Sequence, residues 1–407
     1  MICGLLGRTL GHSYSPQIHQ DLGDYSYSLY EKAPDELENF LKNADYSGLN
    51  VTIPYKKAVI PYCTSLSDSA KRIGSVNTIV RQANGSLIGH NTDYYGFMSM
   101  VRRSGIDVQG IKVLVLGSGG ASVTVNLVLQ ELGAIPVVIS RTGPNNYNNL
   151  EKHRDAALIV NTTPVGMYPD CGCAPVDVKI FPNLKGVLDL VYNPARTKLL
   201  MDAQERGLAT ENGLWMLVAQ AKESAEWFTG RSIADEQISC IYNKLRKQME
   251  NIVLIGMPGS GKTTVGRLLA EKLGRRFIDA DEEICKAAGK TIPEIFAESG
   301  ETGFRALETA VLGELGKASG LVIATGGGCV TRPENYSLLH QNGQIIWLQR
   351  NIKSLPVTGR PLSQSGNLYD MYLTREPLYR SFADWIVENN CDPKETVQKI
   401  LSLEDTL

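Results

Sequence analysis

Eight consecutive residues, Gly256-Met257-Pro258-Gly259-Ser260-Gly261-Lys262-Thr263, constrain this chain more than any other stretch. An apolar run, 252–255, precedes them and a helical pattern, 265–273, follows. The run predicts a buried strand of a parallel sheet, and strand, glycine turn and helix in that order open a βα unit. Glycines let the backbone wrap an anion with its N–H groups at the N-terminus of the next helix. Lys262 can reach the β- and γ-phosphates of a nucleotide, and the Thr263 hydroxyl can ligate Mg²⁺. The pattern GxxxxGK[ST] is met at every position, and Thr264 continues it into the helix. A P-loop domain that binds ATP and transfers a phosphoryl group is therefore expected over 249–407.

A second opening lies upstream. The strand-like 113–116 runs into Gly117-Ser118-Gly119-Gly120-Ala121, a variant of the dinucleotide fingerprint. At the end of the next strand, 136–139, an NAD site would place an acid for the ribose hydroxyls. This chain has Ser140-Arg141-Thr142 there, hydroxyls and a cationic fork that suit the 2′-phosphate of NADP. Further strands are expected at 1–7, 49–53, 157–160 and 186–190, and helices at 35–42, 214–228 and 233–248. No Gly/Ser/Pro-rich tether separates the last helix from Met249. At 407 residues, and with ~100–200 residues per domain, two or three domains are expected.

Composition narrows the class. A hydrophobic content of 43%, a charged content of 21% and a net charge of -2 fit a soluble globular protein with no bulk attraction to nucleic acid or membrane. No run approaches the ~20 apolar residues of a membrane span. The eight cysteines are scattered without a CxxC pair, as suits a reducing cytosol.

Four features of the second half narrow the phosphoryl acceptor. Asp279-Ala280-Asp281 ends the strand after the P-loop helix, where acids can meet Mg²⁺ and an acceptor hydroxyl. Arg305 and Glu308 stand at i and i+3 of a predicted helix, so the carboxylate can orient the guanidinium. Gly326-Gly327-Gly328 follows a third strand and lets backbone approach a small ligand. Arg360-Pro361-Leu362 and Arg375-Glu376-Pro377-Leu378-Tyr379 supply further arginines. Together these residues resemble the shikimate kinases. The resemblance implies that Asp279 helps Thr263 hold Mg²⁺, and that Asp281 binds the acceptor and assists its hydroxyl. It implies that Arg305 and Arg375 grip the shikimate carboxylate beside Gly326, Gly327 and Gly328. It makes Arg360 the lid arginine that meets the ATP phosphates, so that Lys262, Asp281 and Arg360 form the catalytic set. One departure is visible: 354–359 lacks the second arginine the family usually carries ahead of the lid motif.

In the first half, Ser13, Tyr14 and Ser15 offer hydroxyls on a turn, and Asn50-Val51-Thr52-Ile53-Pro54-Tyr55-Lys56 ends a strand with polar groups and one lysine. Asn77, Thr78, Asn91, Thr92 and Asp93 add amides, hydroxyls and a carboxylate. A hydroxyl-rich pocket with one Lys and one Asp suits a polyhydroxylated ring whose carbonyl is reduced, since hydride delivery leaves an alkoxide that needs a proton. His12 and His90 rank below the Lys–Asp pair as acid–base groups, because both sit at positions that shape turns. These strings resemble shikimate dehydrogenase over about 1–245. The resemblance implies Lys56 and Asp93 as the catalytic pair, with Ser13, Ser15, Thr52, Asn77, Tyr192 and Gln220 around the substrate. It implies NADP contacts at Gly117–Ala121, at Ser140, Arg141 and Thr142, and at Gly213. Two departures are visible. Tyr94 and Tyr95 follow Asp93 where Gly is usual, which is expected to crowd the pocket, and no second basic residue follows Arg141-Thr142.

The fold expected is α/β throughout: a substrate lobe over 1–100 completed by helices in 213–248, a Rossmann lobe over 101–212, and a P-loop domain over 249–407. The expected function joins two steps in one chain, NADPH-dependent reduction of 3-dehydroshikimate to shikimate and ATP- and Mg²⁺-dependent phosphorylation of shikimate. Two alternatives stay open: a first half that also takes quinate and reads NAD, or one half that senses shikimate without turnover.

Overall fold

The computed structural model describes residues 1–11, 13–355 and 368–405, and the chain divides into two compact units. The first comprises Met1–Val165, Ala174–Tyr192 and Asp202–Lys244. The second comprises Leu245–Leu407 together with Gly166–Cys173 and Asn193–Met201, two segments that the sequence-drawn division gives to the Rossmann lobe.

Two sheets build the first unit. One is mixed, from β1 (Ile2–Gly7), β2 (Ser26–Glu31), β3 (Gly48–Val51), β4 (Ser65–Leu66), β5 (Thr78–Arg81) and β6 (Leu87–His90), in the order β2-β1-β3-β5-β6-β4. Leu6, Leu49, Val51 and Ile79 of this sheet close on Phe40, Leu41 and Tyr46. β3 stops at Val51, short of the expected 53. Tyr55 N donates back to Thr52 O in a turn, Pro54 has no N–H to continue a ladder, and Ile53 is 78% exposed. The helix Leu214–Thr229 returns to pack against Asp93–Arg103, and a side chain at Gly96 would stand 2.7 Å from Met216 O.

The other sheet is parallel, with β7 (Lys112–Leu116), β8 (Ile135–Ile139), β9 (Leu158–Asn161), β10 (Gly186–Asp189) and β11 (Ala209–Asn212) in the order β11-β10-β9-β7-β8. β7 pairs with both β8 and β9, so the connections leave it in opposite directions and open a crevice at its C-terminal end.

The second unit holds β12 (Asn251–Ile255), β13 (Arg276–Asp279), β14 (Leu321–Ala324), β15 (Gly343–Gln349) and β16 (Trp385–Glu388), all parallel, in the order β13-β14-β12-β15-β16. Alternate residues of a strand face opposite ways. Val253, Ile255, Ile345 and Trp347 enter one core, and Ile252, Leu254, Ile346 and Leu348 the other. Both faces are covered, which explains the unbroken apolar runs. β12, flanked by β14 and β15, is a second switch point.

Two buried imidazoles tie the first unit to pH. His19 stacks on Tyr27 at 4.0 Å, and His90 stacks on Trp227 at 3.8 Å. Burial lowers His19 to about 3 and His90 to about 4 from the ordinary 6.5. Each is neutral in the fold and takes a proton on unfolding below 6.5, so the stability it contributes is complete above that pH and is lost as pH falls toward 4. The melting temperature of this unit should therefore drop between pH 6.5 and 4. The slope should flatten in His90→Phe, which keeps the stacking without the titration; an unchanged slope by calorimetry would refute this.

Candidate active sites

In the first unit the turn after β3 carries Lys56, and the helix Asp93–Arg103 begins with Asp93. Lys56 Nζ donates to Asp93 Oδ2 at 2.6 Å, with both side chains partly exposed. Beside them a buried polar network joins three elements. Thr92 N donates to Asn77 Oδ1 at 2.7 Å, and Asn77 Nδ2 lies 3.1 Å from Thr92 Oγ1 and 3.5 Å from Gln220 Oε1. Ser224 Oγ bonds both Thr92 and Thr78 hydroxyls, at 3.0 and 2.9 Å, and accepts from Asn50 Nδ2 at 2.8 Å. The structure thus brings together Lys56 with Asp93 and Asn77 with Gln220. Ser15 N donates to Ser13 Oγ at 3.2 Å, Thr52 N to Leu6 O at 2.9 Å, and Tyr192 meets the edge of Tyr14 at 6.3 Å. His12 lies outside the described residues, and His90 is occupied by Trp227.

Tyr94 and Tyr95 turn away from the Lys–Asp pair rather than crowding it. Tyr94 donates to Glu131, which also pairs with Arg72, and Tyr95 donates to Asp235 at 2.8 Å. Positions 94 and 95 of the helix project differently from Asp93, and carboxylates on neighbouring elements capture both phenols.

The dinucleotide turn is exposed. Gly117 has φ 101°, which favours glycine, and a side chain there would sit 2.9 Å from Thr162 Oγ1. Side chains at Gly119 and Gly120 would meet nothing, so the strip from Ser118 to Ala121 is open for a dinucleotide to lie against. After β8, Ser140 donates to Thr142 O and leaves Arg141 exposed. At Gly213 a side chain would stand 2.0 Å from Leu190 O, so glycine permits the close packing there. Asn161 Nδ2 donates to Asp189 Oδ1 at 2.9 Å, both fully buried, and these two set the loops after β9 and β10. Ser224, Asn161 and Asp189 carry no local signal, because nothing in periodicity marks a buried polar group that joins distant elements.

In the second unit a cavity of about 700 Å³ opens at the end of β12. Gly256, Gly259 and Gly261 have φ of 143, 84 and 94°, and Lys262 Nζ donates to Gly256 O and Met257 O at 2.8 and 3.0 Å. Pro258, Thr263 and Thr264 line the cavity, and Ser260 is buried beneath it with its backbone carbonyl held by Asn389 Nδ2 at 2.7 Å. Thr263 Oγ1 donates to Asp279 Oδ2 at 2.9 Å, while Asp279 Oδ1 caps the next helix by accepting from Asp281 N at 3.1 Å. A hydroxyl and a carboxylate in contact form a donor set that fits Mg²⁺. Among the described residues no cluster of three or more His, Cys, Asp or Glu could hold a metal.

The opposite wall carries a different set of groups. Arg305 Nη1 donates to Glu308 Oε2 at 2.6 Å, both buried, and the helix Ile292–Lys317 places them one turn apart as expected. Burial raises the Glu308 carboxyl against the opposing pull of Arg305. Arg375 Nη1 donates to Gly327 O at 3.1 Å. A side chain at Gly326 would stand 2.9 Å from Asp281 Oδ1, and one at Gly328 2.1 Å from Arg305 Nη2. The structure therefore gathers Asp281, Arg305, Arg375 and the three glycines at one cavity. Arg360 lies outside the described residues. Arg350, which the sequence reading passed over, lines the same cavity.

Residues 5–79 match the shikimate dehydrogenase substrate-binding domain. A shikimate dehydrogenase (NADP(+)) of Clostridium perfringens (strain SM101 / Type A) is 37% identical over 265 residues, 60% of this chain and 97% of that protein. The chain belongs to the shikimate dehydrogenase family. Residues 258–404 match the shikimate kinase family, so the second unit carries a shikimate kinase domain. Among solved structures, a chorismate mutase/shikimate 5-dehydrogenase fusion protein from Clostridium acetobutylicum is 34% identical with a TM-score of 0.57, over 60% of this chain and 97% of its own. The shikimate 5-dehydrogenase of Thermus thermophilus, solved with NADP(H) and shikimate, is 32% identical with a TM-score of 0.55, over 60% of this chain and 99% of its own. The protein is a bifunctional enzyme of the shikimate pathway, with dehydrogenase and kinase activities. No helix among the described residues is long and apolar enough to cross a membrane.

The closeness of Gly328 to Arg305 gives a test of the kinase site. Gly328→Ala forces the guanidinium aside, and a displacement of about 1 Å costs roughly 100-fold in kcat/KM for the acceptor. ATP binding and dehydrogenase turnover should be unchanged. A variant with wild-type kinase kinetics would show that Arg305 does not meet the acceptor.

Proposed function

We propose that the first unit reduces 3-dehydroshikimate to shikimate with NADPH and that the second phosphorylates shikimate at its 3-hydroxyl with ATP. The observation that carries this reading is that each unit holds its own complete charge set. Lys56 and Asp93 stand in contact in the first, while Lys262, Thr263, Asp279, Asp281, Arg305 and Arg375 line one cavity in the second. A module that only sensed shikimate would have no use for Lys262 or for the Lys56–Asp93 pair.

The open strip Gly117–Ala121 would hold NADPH, which when bound would supply the hydride. The exposed Arg141 guanidinium, with Ser140 and Thr142, would hold the 2′-phosphate of the cofactor, and Gly213 is proposed as a further cofactor contact. Ser13, Ser15, Thr52, Asn77, Tyr192 and Gln220 orient the ring hydroxyls and carboxylate. As charge builds on the ketone oxygen, Lys56 Nζ donates a proton to it. Asp93 keeps the ammonium aimed at that atom, and in the reverse direction the Lys56 amine takes the proton back.

In the kinase unit the N–H groups of 256–264 cradle the phosphates. Thr263 and Asp279 would hold Mg²⁺, which would offset phosphate charge during transfer. Arg305 and Arg375 grip the shikimate carboxylate as forked donors. Asp281 takes the proton of the 3-hydroxyl as that oxygen attacks phosphorus. Lys262 and Arg360 stabilise the charge on the transferring group. The eight cysteines are all free thiols, and the cytoplasm is the compartment we propose.

Two separate assays test this reading. Lys56→Ala should lower NADPH oxidation by dehydroshikimate roughly 10²- to 10⁴-fold and spare phosphorylation of added shikimate. Lys262→Ala should lower phosphorylation roughly 10²- to 10³-fold and spare the reductase. A wild-type chain that lacks either activity, or a variant that loses both, would contradict the proposal.

A further inference from the structure

Among the described residues, three arginines besides Lys262 supply positive charge to the kinase cavity: Arg305, Arg350 and Arg375. Two are already committed. Arg305 is paired with Glu308, and Arg375 is tied to Gly327 O, both on the wall of the three glycines. Arg350 stands elsewhere, immediately after β15. β15 pairs with β12 so that Trp347 is opposite Ile255. Three residues further on, Arg350 comes level with the phosphate loop, and Asn351 N donates to Asn390 Oδ1 at 2.9 Å to fix the backbone there.

The guanidinium is poorly supplied with acceptors. Nη1 lies 3.4 Å from Gly259 O, a long bond, and Nε is buried without a partner. Among the described residues no carboxylate pairs with it. A buried donor without an acceptor is costly, and a planar fork beside a phosphate cradle matches phosphate oxygens best.

We propose that Arg350 is an ATP-binding residue of the kinase unit, holding phosphate oxygens from the end of β15 across the phosphate loop from the acceptor arginines. The inference rests on reading 256–263 as the ATP site. It assigns Arg350 to the nucleotide and not to shikimate.

The test is steady-state kinetics of the full chain with inorganic tripolyphosphate and adenosine as inhibitors. Arg350→Ala should raise KM for ATP roughly 10- to 100-fold and weaken tripolyphosphate inhibition in parallel. KM for shikimate, adenosine inhibition and the dehydrogenase rate should not move. Arg350→Lys should recover part of the loss, since a point charge still meets phosphate. An unchanged KM for ATP would overturn the proposal. So would weakened adenosine inhibition with tripolyphosphate unaffected, which would assign Arg350 to the base. A wild-type chain that fails to phosphorylate shikimate would instead defeat the underlying reading. Calorimetric binding of tripolyphosphate to wild type and Arg350→Ala would then still decide the role of Arg350.

Discussion

A parallel strand buried on both faces has spare hydrogen-bonding groups only where it ends, and this chain puts its chemistry at two such ends. After β7 and after β12 the backbone turns through glycines at positive φ and runs straight into a helix. The apolar faces of the sheets fix where each strand stops, and the order of neighbouring strands opens a crevice there. Everything polar is then arranged around that opening. In the second unit the ends of β12, β13 and β14 deliver the phosphate loop, the two aspartates and the glycine triplet to one cavity.

The substrate side of the first unit is built on a different principle. Asn50, Asn77, Thr78, Thr92 and Ser224 bury amides and hydroxyls that must satisfy one another, because an unpaired polar group in the interior is costly. Their mutual bonds fix the start of the helix that begins with Asp93, and so fix the carboxylate against Lys56. The helix Leu214–Thr229 supplies Gln220 and Ser224 from far along the chain, and the near absence of space at Gly96 keeps it in register. Positioning here comes from packing, and the reacting groups are simply carried by it.

That contrast explains what could be read in advance. The phosphate loop is legible because its residues are dictated locally: glycine by positive φ, and Lys262 and Thr263 by their place at the start of the helix that follows. Arg305 and Glu308 are legible because a helix brings i and i+3 together. Lys56 and Asp93 are 37 positions apart and were assignable through family resemblance, since no periodicity links a turn after one strand to the start of a helix. The direction of Tyr94 is not legible in the sequence, because its partner, Glu131, belongs to another element. Ser224 and Arg350 went unnoticed for the same reason: their meaning lies in neighbours that only the topology supplies.

The central claim is that one chain performs consecutive steps at two separately built sites. The most direct measurement supplies 3-dehydroshikimate, NADPH, ATP and Mg²⁺ to the purified full chain and follows NADPH oxidation and phosphorylated product together. Shikimate 3-phosphate should accumulate with one NADPH oxidised for each molecule formed. NADPH oxidation that ends at unphosphorylated shikimate, or no oxidation at all, would contradict it.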